Sequence, residues 1–288
     1  MPIIHERQPY SPRGLGLYIR ALNKNNYKTR VKRMADHGIK WAAIGAVWQD
    51  FKKGKHTVRR INSIDMCKRI TDELVNRNIV TFLWGYPWKG RHAEFVHMME
   101  QASVEAIMGW LLDPELGLKA KDEDHDGDRD DEDMEIVFAL AKALFWTIIS
   151  ANPYRVIGFS SYGLPVGHPT FPWGAFAFKD GFNPLEECDF GSPQLYDEEL
   201  SDIVRGLAMY KALGFDIIVP SYGTYKFARD ENGKQIYPRL NYYEMKNHFH
   251  NFASVKDEYD IRAMIGWSEA QISAGAWKAI AEYSEIFI

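Results

Sequence analysis

Along the chain, short apolar runs rich in β-branched and aromatic residues alternate with amphipathic stretches of helical period. The runs are GLGLYIRAL (14–22), KWAAIGAVWQ (40–49), IVTFLWGY (79–86), EAIMGWLLD (105–113), RVIGFSSYG (155–163), CDFGSPQLY (188–196), FDIIVPSYG (215–223) and IRAMIGWSE (261–269). Helical patterns occupy 26–37, 62–77, 133–151, 198–213 and 273–283. In YDEELSDIVRGLAMYKALG, acids fill the first turn and Gly214 supplies a stop signal. Each run is apolar along nearly its whole length, as a parallel strand covered on the outside must be. Eight such strands joined by helices predict a (β/α)8 TIM barrel, an α/β fold of about 250 residues, in a single catalytic domain over 1–288. A doubly wound open sheet is the alternative, although no Gly-rich phosphate loop follows the first run to support its dinucleotide-binding form.

In such a barrel, function gathers at the C-terminal ends of the strands. Those ends carry Tyr18 and Arg20; Trp48, Gln49 and Asp50; Trp84, Tyr86 and Trp88; and Asp113 with Glu115. The later runs add Ser160 and Tyr162; Gln194, Tyr196 and Asp197; Tyr222 and Tyr225; then Trp267, Ser268 and Glu269. Aromatics, carboxylates and amides on one face are what a sugar cleft needs, because a sugar ring has apolar faces and a polar rim. Trp48, Trp84, Tyr86, Tyr162, Gln194, Tyr222, Trp267 and Glu269 are the candidate substrate-binding residues.

Composition narrows the classes. A formal net charge of −4 and basic clusters no longer than TRVKR and VRR give no support to nucleic-acid binding. Aromatic residues make up 14% of the chain; in loops they suit ligands with apolar faces and polar rims, sugars among them, although core packing absorbs many such residues in any protein. Two cysteines, Cys67 and Cys188, do not form a disulfide framework. The segment MPIIHERQPYSPRG lacks the apolar core of a secretory signal, and no run reaches the length of a membrane span. Synthesis in a cytoplasm is expected, with any release to a cell wall by another route.

The strongest chemical feature is IMGWLLDPELG (107–117), an apolar run ending in two acids one residue apart. Residues i and i+2 of an extended segment share a face, so Asp113 and Glu115 aim into one space. Two neighbouring carboxyls raise one another's pKa, and a carboxyl kept protonated near neutrality can protonate a glycosidic oxygen. A bare Asp-x-Glu is otherwise an ordinary loop beginning, and its position on the fourth strand gives it weight.

GWLLDPE resembles the strand-four signature of glycoside hydrolase family 18, and PQLYD (193–197) is similar to that family's strand-six motif. Trp267 stands where its strand-eight Trp would be. The resemblance implies that Glu115 is the general acid/base. Asp113 would orient the N-acetyl group that attacks the anomeric carbon, Tyr196 and Asp197 would hold that group, and Trp267 would floor the subsite. Two further family aspartates are replaced by Met108 and Leu111, so a proton relay to Asp113 is absent or supplied from elsewhere. The Asp-x-Glu strand is also similar to family 25 lysozymes, whose strand-one aspartate is here replaced by Tyr18 and Arg20. The resemblance implies a polysaccharide substrate containing N-acetylhexosamine. Bacterial cell-wall peptidoglycan is preferred to chitin because the chain has neither an export signal nor an appended binding module, as in a phage or bacterial lysin. Asp50 and Glu269 are reserve acids, and a barrel that binds glycan without cleaving it is the rival expectation.

Behind the pair lies DEDHDGDRDDED (122–133), in which Asp122, Asp124, Asp126, Asp128, Asp130 and Asp133 occupy positions 1, 3, 5, 7, 9 and 12 around Gly127. That is the oxygen spacing of an EF-hand-like Ca²⁺ loop, with Asp in place of the usual Glu at its last position. The aromatic loop 163–187 carries Phe171, Trp173, Phe176 and Phe178 and is expected to wall the cleft or pack on the rim. His168 has no spaced partner, and His248 and His250 fall on different faces of an expected helix, so none is read as a metal ligand.

Overall fold

A computed structural model describes residues 12–52, 55–88, 90–115, 118–119, 131–151, 155–168, 171, 173, 188–196, 199–226 and 228–287, with the side chains of 50–52, 55, 56 and 149 left aside. The strands are β1 (Gly14–Ile19), β2 (Trp41–Lys52), β3 (Lys55–Arg60), β4 (Val80–Tyr86), β5 (Ile107–Leu112), β6 (Val156–Tyr162), β7 (Phe190–Gln194), β8 (Ser221–Gly223), β9 (Ala228–Arg229), β10 (Gln235–Ile236) and β11 (Ala263–Trp267). The helices are α1 (Tyr27–Asp36), α2 (Ile64–Val75), α3 (His92–Ala102), α4 (Asp131–Ala151), α5 (Leu200–Ala212), α6 (Tyr242–Val255) and α7 (Ala274–Tyr283).

Parallel pairing runs β1–β2–β4–β5–β6–β7–β8–β11, and β11 pairs back with β1. The sheet is closed, as expected for a (β/α)8 barrel and not for an open doubly wound sheet. Two hairpins decorate it. β2 continues beyond the barrel and folds back as β3, and β9 pairs with β10. The run 215–223 yields only the short strand β8 plus a bridge at Ile218, because Pro220 has no N–H to give to a ladder. Among the described residues, no helix is long and apolar enough to cross a membrane.

Side-chain alternation divides the core into two shells. Outward residues such as Ile44, Leu83, Leu112, Phe159 and Met264 pack under the helices. Inward residues plug the barrel: Trp41, Phe82 and Phe190 meet edge to face with ring centroids 5.6–6.4 Å apart. The plug requires Gly16, where a Cβ would lie 2.3 Å from the Trp41 ring. One step up each strand the interior turns polar, with Tyr18, Ser160, Ser192 and Ser221 buried at one level and Ser192 Oγ 2.9 Å from Ser221 Oγ. A dry aromatic plug therefore supports a hydroxyl layer, and the strand ends open above it.

Candidate active site

β5 stops at Leu112, and the next three residues carry the acids. The Asp113 N–H donates to the Gly85 carbonyl (3.0 Å), which fixes its backbone to β4. The Ser161 hydroxyl, on the neighbouring strand β6, donates to the Pro114 carbonyl (3.1 Å). Proline between the acids supplies a rigid φ and no N–H that would need a partner. The turn is thereby held on both sides, and the two carboxyls meet in a hydrogen bond.

Asp113 is buried and Glu115 half-buried. Burial and the neighbouring Glu115 push the Asp113 carboxyl well above its ordinary value, although the Trp84 indole and Gln194 favour its charge. Gln194 Nε2 donates to Asp113 Oδ1 at 2.8 Å. Burial also raises Glu115, against hydrogen bonds from Gln194 and Asp113 and the nearby Lys119 ammonium. The pair therefore keeps a proton to higher pH than free carboxyls do, since two charges in one desolvated space repel.

Aromatic side chains surround the pair. Trp48 stacks flat on Tyr86, with centroids 4.3 Å apart and planes 10° apart. Trp84 lies 5.9 Å from Trp48 and 5.1 Å from Trp267, and Trp267 lies 4.9 Å from Tyr18. Trp48 and Trp267 are half-exposed, whereas Trp84 and Tyr86 are buried behind them. On the opposite side stand Tyr162 and the half-buried Tyr196, the latter 6.5 Å from Tyr225. The Tyr162 hydroxyl is buried without a hydrogen-bond partner among the described residues, and burial with the Glu115 and Asp113 charges keeps it protonated. Burial does the same for Tyr196.

Not every expected residue comes here. Tyr222 follows the inward Ser221, so its ring points outward, packs 5.0 Å from Phe249 of α6 and donates from its hydroxyl to the Gly16 carbonyl (3.3 Å). It is a core residue beneath α6 and does not line the cleft. Glu269 lies past the end of β11 in a 3-10 turn (Glu269–Gln271), where it is buried against Arg30 of α1 in an ion pair. That places it in a structural pair and corrects its expected role as a ligand or reserve acid. Gln49 also serves the scaffold, donating to the Gly90 carbonyl and accepting from the Trp88 N–H.

Asp197, and Asp122, Asp124, Asp126, Asp128 and Asp130 of the acidic loop, lie outside the described residues, as do Phe176 and Phe178 and the Asp50 side chain. Asp133 is buried in the first turn of α4. Among the described residues, no group of three or more His, Cys, Asp or Glu side chains could hold a metal. His248 is buried and His250 exposed, on different faces of α6.

Two contributors were not assigned from sequence. Lys119 Nζ lies 2.8 Å from His168 Nδ1 and 4.5 Å from the centroid of the Tyr162 ring. His168 stacks on Tyr162 with centroids 3.6 Å apart. Burial and the Lys119 charge lower the His168 pKa, so a neutral ring accepts from the ammonium. The two residues stand 49 apart in sequence, and neither has a local pattern that marks it.

No family model matches the chain, and none of the curated proteins does. Solved structures share its fold. The C-terminal domain of a putative chitinase from Desulfitobacterium hafniense DCB-2 is 10% identical, with a TM-score of 0.62 over 96% of this chain and 100% of that one. The spore cortex-lytic enzyme SleL of Bacillus cereus is 11% identical, with a TM-score of 0.58 over 95% and 75%. A xylanase and α-amylase inhibitor protein, XAIP-II from Scadoxus multiflorus, is 10% identical, with a TM-score of 0.59 over 96% and 98%. At such identities the likeness is one of architecture, and it sets this chain among TIM barrels that include glycosidases.

Proposed function

We propose that this barrel is a glycoside hydrolase acting on a glycan that contains N-acetylhexosamine, with bacterial cell-wall peptidoglycan preferred to chitin. The observation that carries the reading is the Asp113–Glu115 pair at the mouth of the barrel, both carboxyls raised by burial and joined by a hydrogen bond. In this reading Glu115, the less buried of the two, protonates the leaving oxygen and then activates water. Asp113 orients the acetamido group of the sugar. Tyr196 and Asp197 support that group, and the Tyr162 hydroxyl, which has no partner among the described residues, offers it a further donor. Trp267 and Trp48 supply the stacking surfaces. Fold likeness to proteins described as a chitinase and a spore cortex-lytic enzyme supports the substrate class.

A second reading, a barrel that binds glycan without cleaving it, has one specific observation behind it. Leu111 lies inside the barrel directly beneath Asp113, where the family 18 signature has an acid. An inhibitor protein also shares the fold. Release of reducing ends from purified cell walls and from chitin separates the two. Activity on either polymer that Glu115→Gln removes supports hydrolysis, and retention on the polymer without turnover supports binding alone.

We also propose that the 122–133 loop holds Ca²⁺ through its alternate aspartates and so fixes the rim beside Glu115. The oxygen spacing supports this, and the α4 helix that follows begins at Asp131. Calorimetry with CaCl₂ is expected to show binding at or below millimolar concentration. No heat in that range removes the ion from the account.

A further inference from the structure

Backbone contacts to Gly85 and Ser161 hold the turn that carries the acids, but they do not hold the carboxyl planes. The last torsion of an Asp or Glu side chain is broad, so each carboxyl turns easily unless another side chain pins it. Gln194, the last residue of β7, reaches both acids. Its Nε2 donates to Asp113 Oδ1 at 2.8 Å, and the same amide hydrogen-bonds Glu115. The two carboxyls also meet one another, so the three side chains close into one hydrogen-bonded group.

That reach depends on the strand between them. β7 pairs with β6 at Ser160↔Ser192 and Tyr162↔Gln194. The β5–β6 register, continued one step past Leu112↔Phe159, sets Asp113 beside Ser160. Gln194 therefore crosses β6 to meet an acid two strands away. The small, buried Ser160 lets it pass, with Oγ 3.5 Å from Nε2. Charge explains why an amide serves here. An ammonium or guanidinium in its place would drive both carboxyls to their anions and leave no proton for a leaving oxygen. A third carboxyl would add to the repulsion within the pair. The Gln194 nitrogen offers two hydrogens and no net charge, so it can orient the pair and leave the shared proton in place.

We propose that Gln194 is a positioning residue that holds the Asp113 and Glu115 carboxyls in one reactive arrangement, in place of the substrate contact that its strand-end position suggests. The proposal rests on the glycoside hydrolase reading and assigns the amide its work within that site.

One arm of the test needs no turnover. In the full chain labelled with ¹³C at its Asp and Glu carboxyls, NMR follows the titration of the pair in the parent and in Gln194→Met, which keeps the length and removes the donors. Losing donors that favour charge should raise the apparent pKa values of the pair by about one pH unit, the size of one hydrogen bond to a charged group. On a glycan that the parent cleaves, kcat should fall about tenfold for the same reason, with KM little changed. The kcat/KM profile should move to higher pH together with the titration. Gln194→Asn keeps an amide but falls one methylene short of Asp113, and it should show the same shift even if the methionine variant does not fold. A titration that stays put in the folded variants overturns the proposal, whatever their melting temperatures. A raised KM with kcat and titration unchanged also overturns it and returns Gln194 to the substrate ligands. If the parent cleaves no glycan, the hydrolase reading fails, and a reactive role for Gln194 fails with it even where the titration shifts.

Discussion

Ser161 on β6 donates its hydroxyl to the carbonyl of Pro114, the residue between the two acids, at 3.1 Å. The turn that carries the two acids is therefore tied to β6 by a buried hydrogen bond. Ser161→Ala leaves that buried carbonyl without a partner, which costs about 1–3 kcal/mol. Denaturant unfolding should show that loss, and kcat should fall more than KM rises because the turn sets the geometry of Glu115. An unchanged midpoint and unchanged kcat would remove Ser161 from the supports of the site.

Asp113 makes stability depend on pH in a stated direction. Its folded pKa lies above the ordinary value of 3.8, through burial first and Glu115 second. The folded chain therefore holds a proton that the unfolded chain has released, and stability falls as pH rises from about 4 through the raised value. Asp113→Asn removes the buried charge. It should stabilise the protein at pH 8 by on the order of 1 kcal/mol relative to its effect at pH 4, while lowering activity. Thermal unfolding at the two pH values checks this, and a variant that gains as much at pH 4 as at pH 8 would contradict the assignment.

Glu269 is a structural partner of Arg30, with only 3% of its side chain exposed. Glu269→Gln leaves the half-buried Arg30 guanidinium without its counter-charge, at a cost of about 1–3 kcal/mol. The melting temperature should drop while kcat of the folded fraction stays near that of the parent. Loss of turnover without loss of stability would return Glu269 to the list of reacting acids.

Lys119 acts on Glu115 through its charge. Its ammonium lowers the Glu115 pKa and, after burial, that of His168. Lys119→Met should raise both. The His168 titration followed by NMR then moves up, and the basic limb of the kcat/KM profile, set by the protonated acid, moves to higher pH. A profile that stays put while His168 shifts would separate Lys119 from the reaction.

The barrel was legible in the sequence because its signal is local. Each strand reads as an apolar run, and each helix between them repeats its own period. The acid pair was legible for the same reason, since residues i and i+2 of one extended segment fix their own proximity. What escaped detection depends on contacts between distant segments. A run apolar on both faces does not announce which face is inward, and Tyr222 was misplaced by one step of that alternation. Its neighbour Ser221 belongs to the hydroxyl layer, so parity along the strand would have turned Tyr222 outward. Glu269 sits two residues beyond Trp267, and only the 3-10 turn that ends β11 carries it to Arg30. The β3 strand, KHTVRR, is too polar to read as a strand, and pairing with an overlong β2 is what orders it. It sets Arg59 opposite Trp48 across the ladder and carries Arg60 to the Met98 carbonyl of α3, placements that the dipeptide alone does not show.

The central claim is that Glu115 donates the proton to the leaving oxygen. The direct measurement compares Glu115→Gln with the parent on an unactivated N-acetylglucosamine oligomer and on an aryl glycoside whose phenolate leaves without protonation. A proton donor predicts a loss of about 10² to 10⁴ on the oligomer and a much smaller loss on the aryl glycoside. Equal losses on both substrates would contradict the assignment and move the acid elsewhere in the cleft.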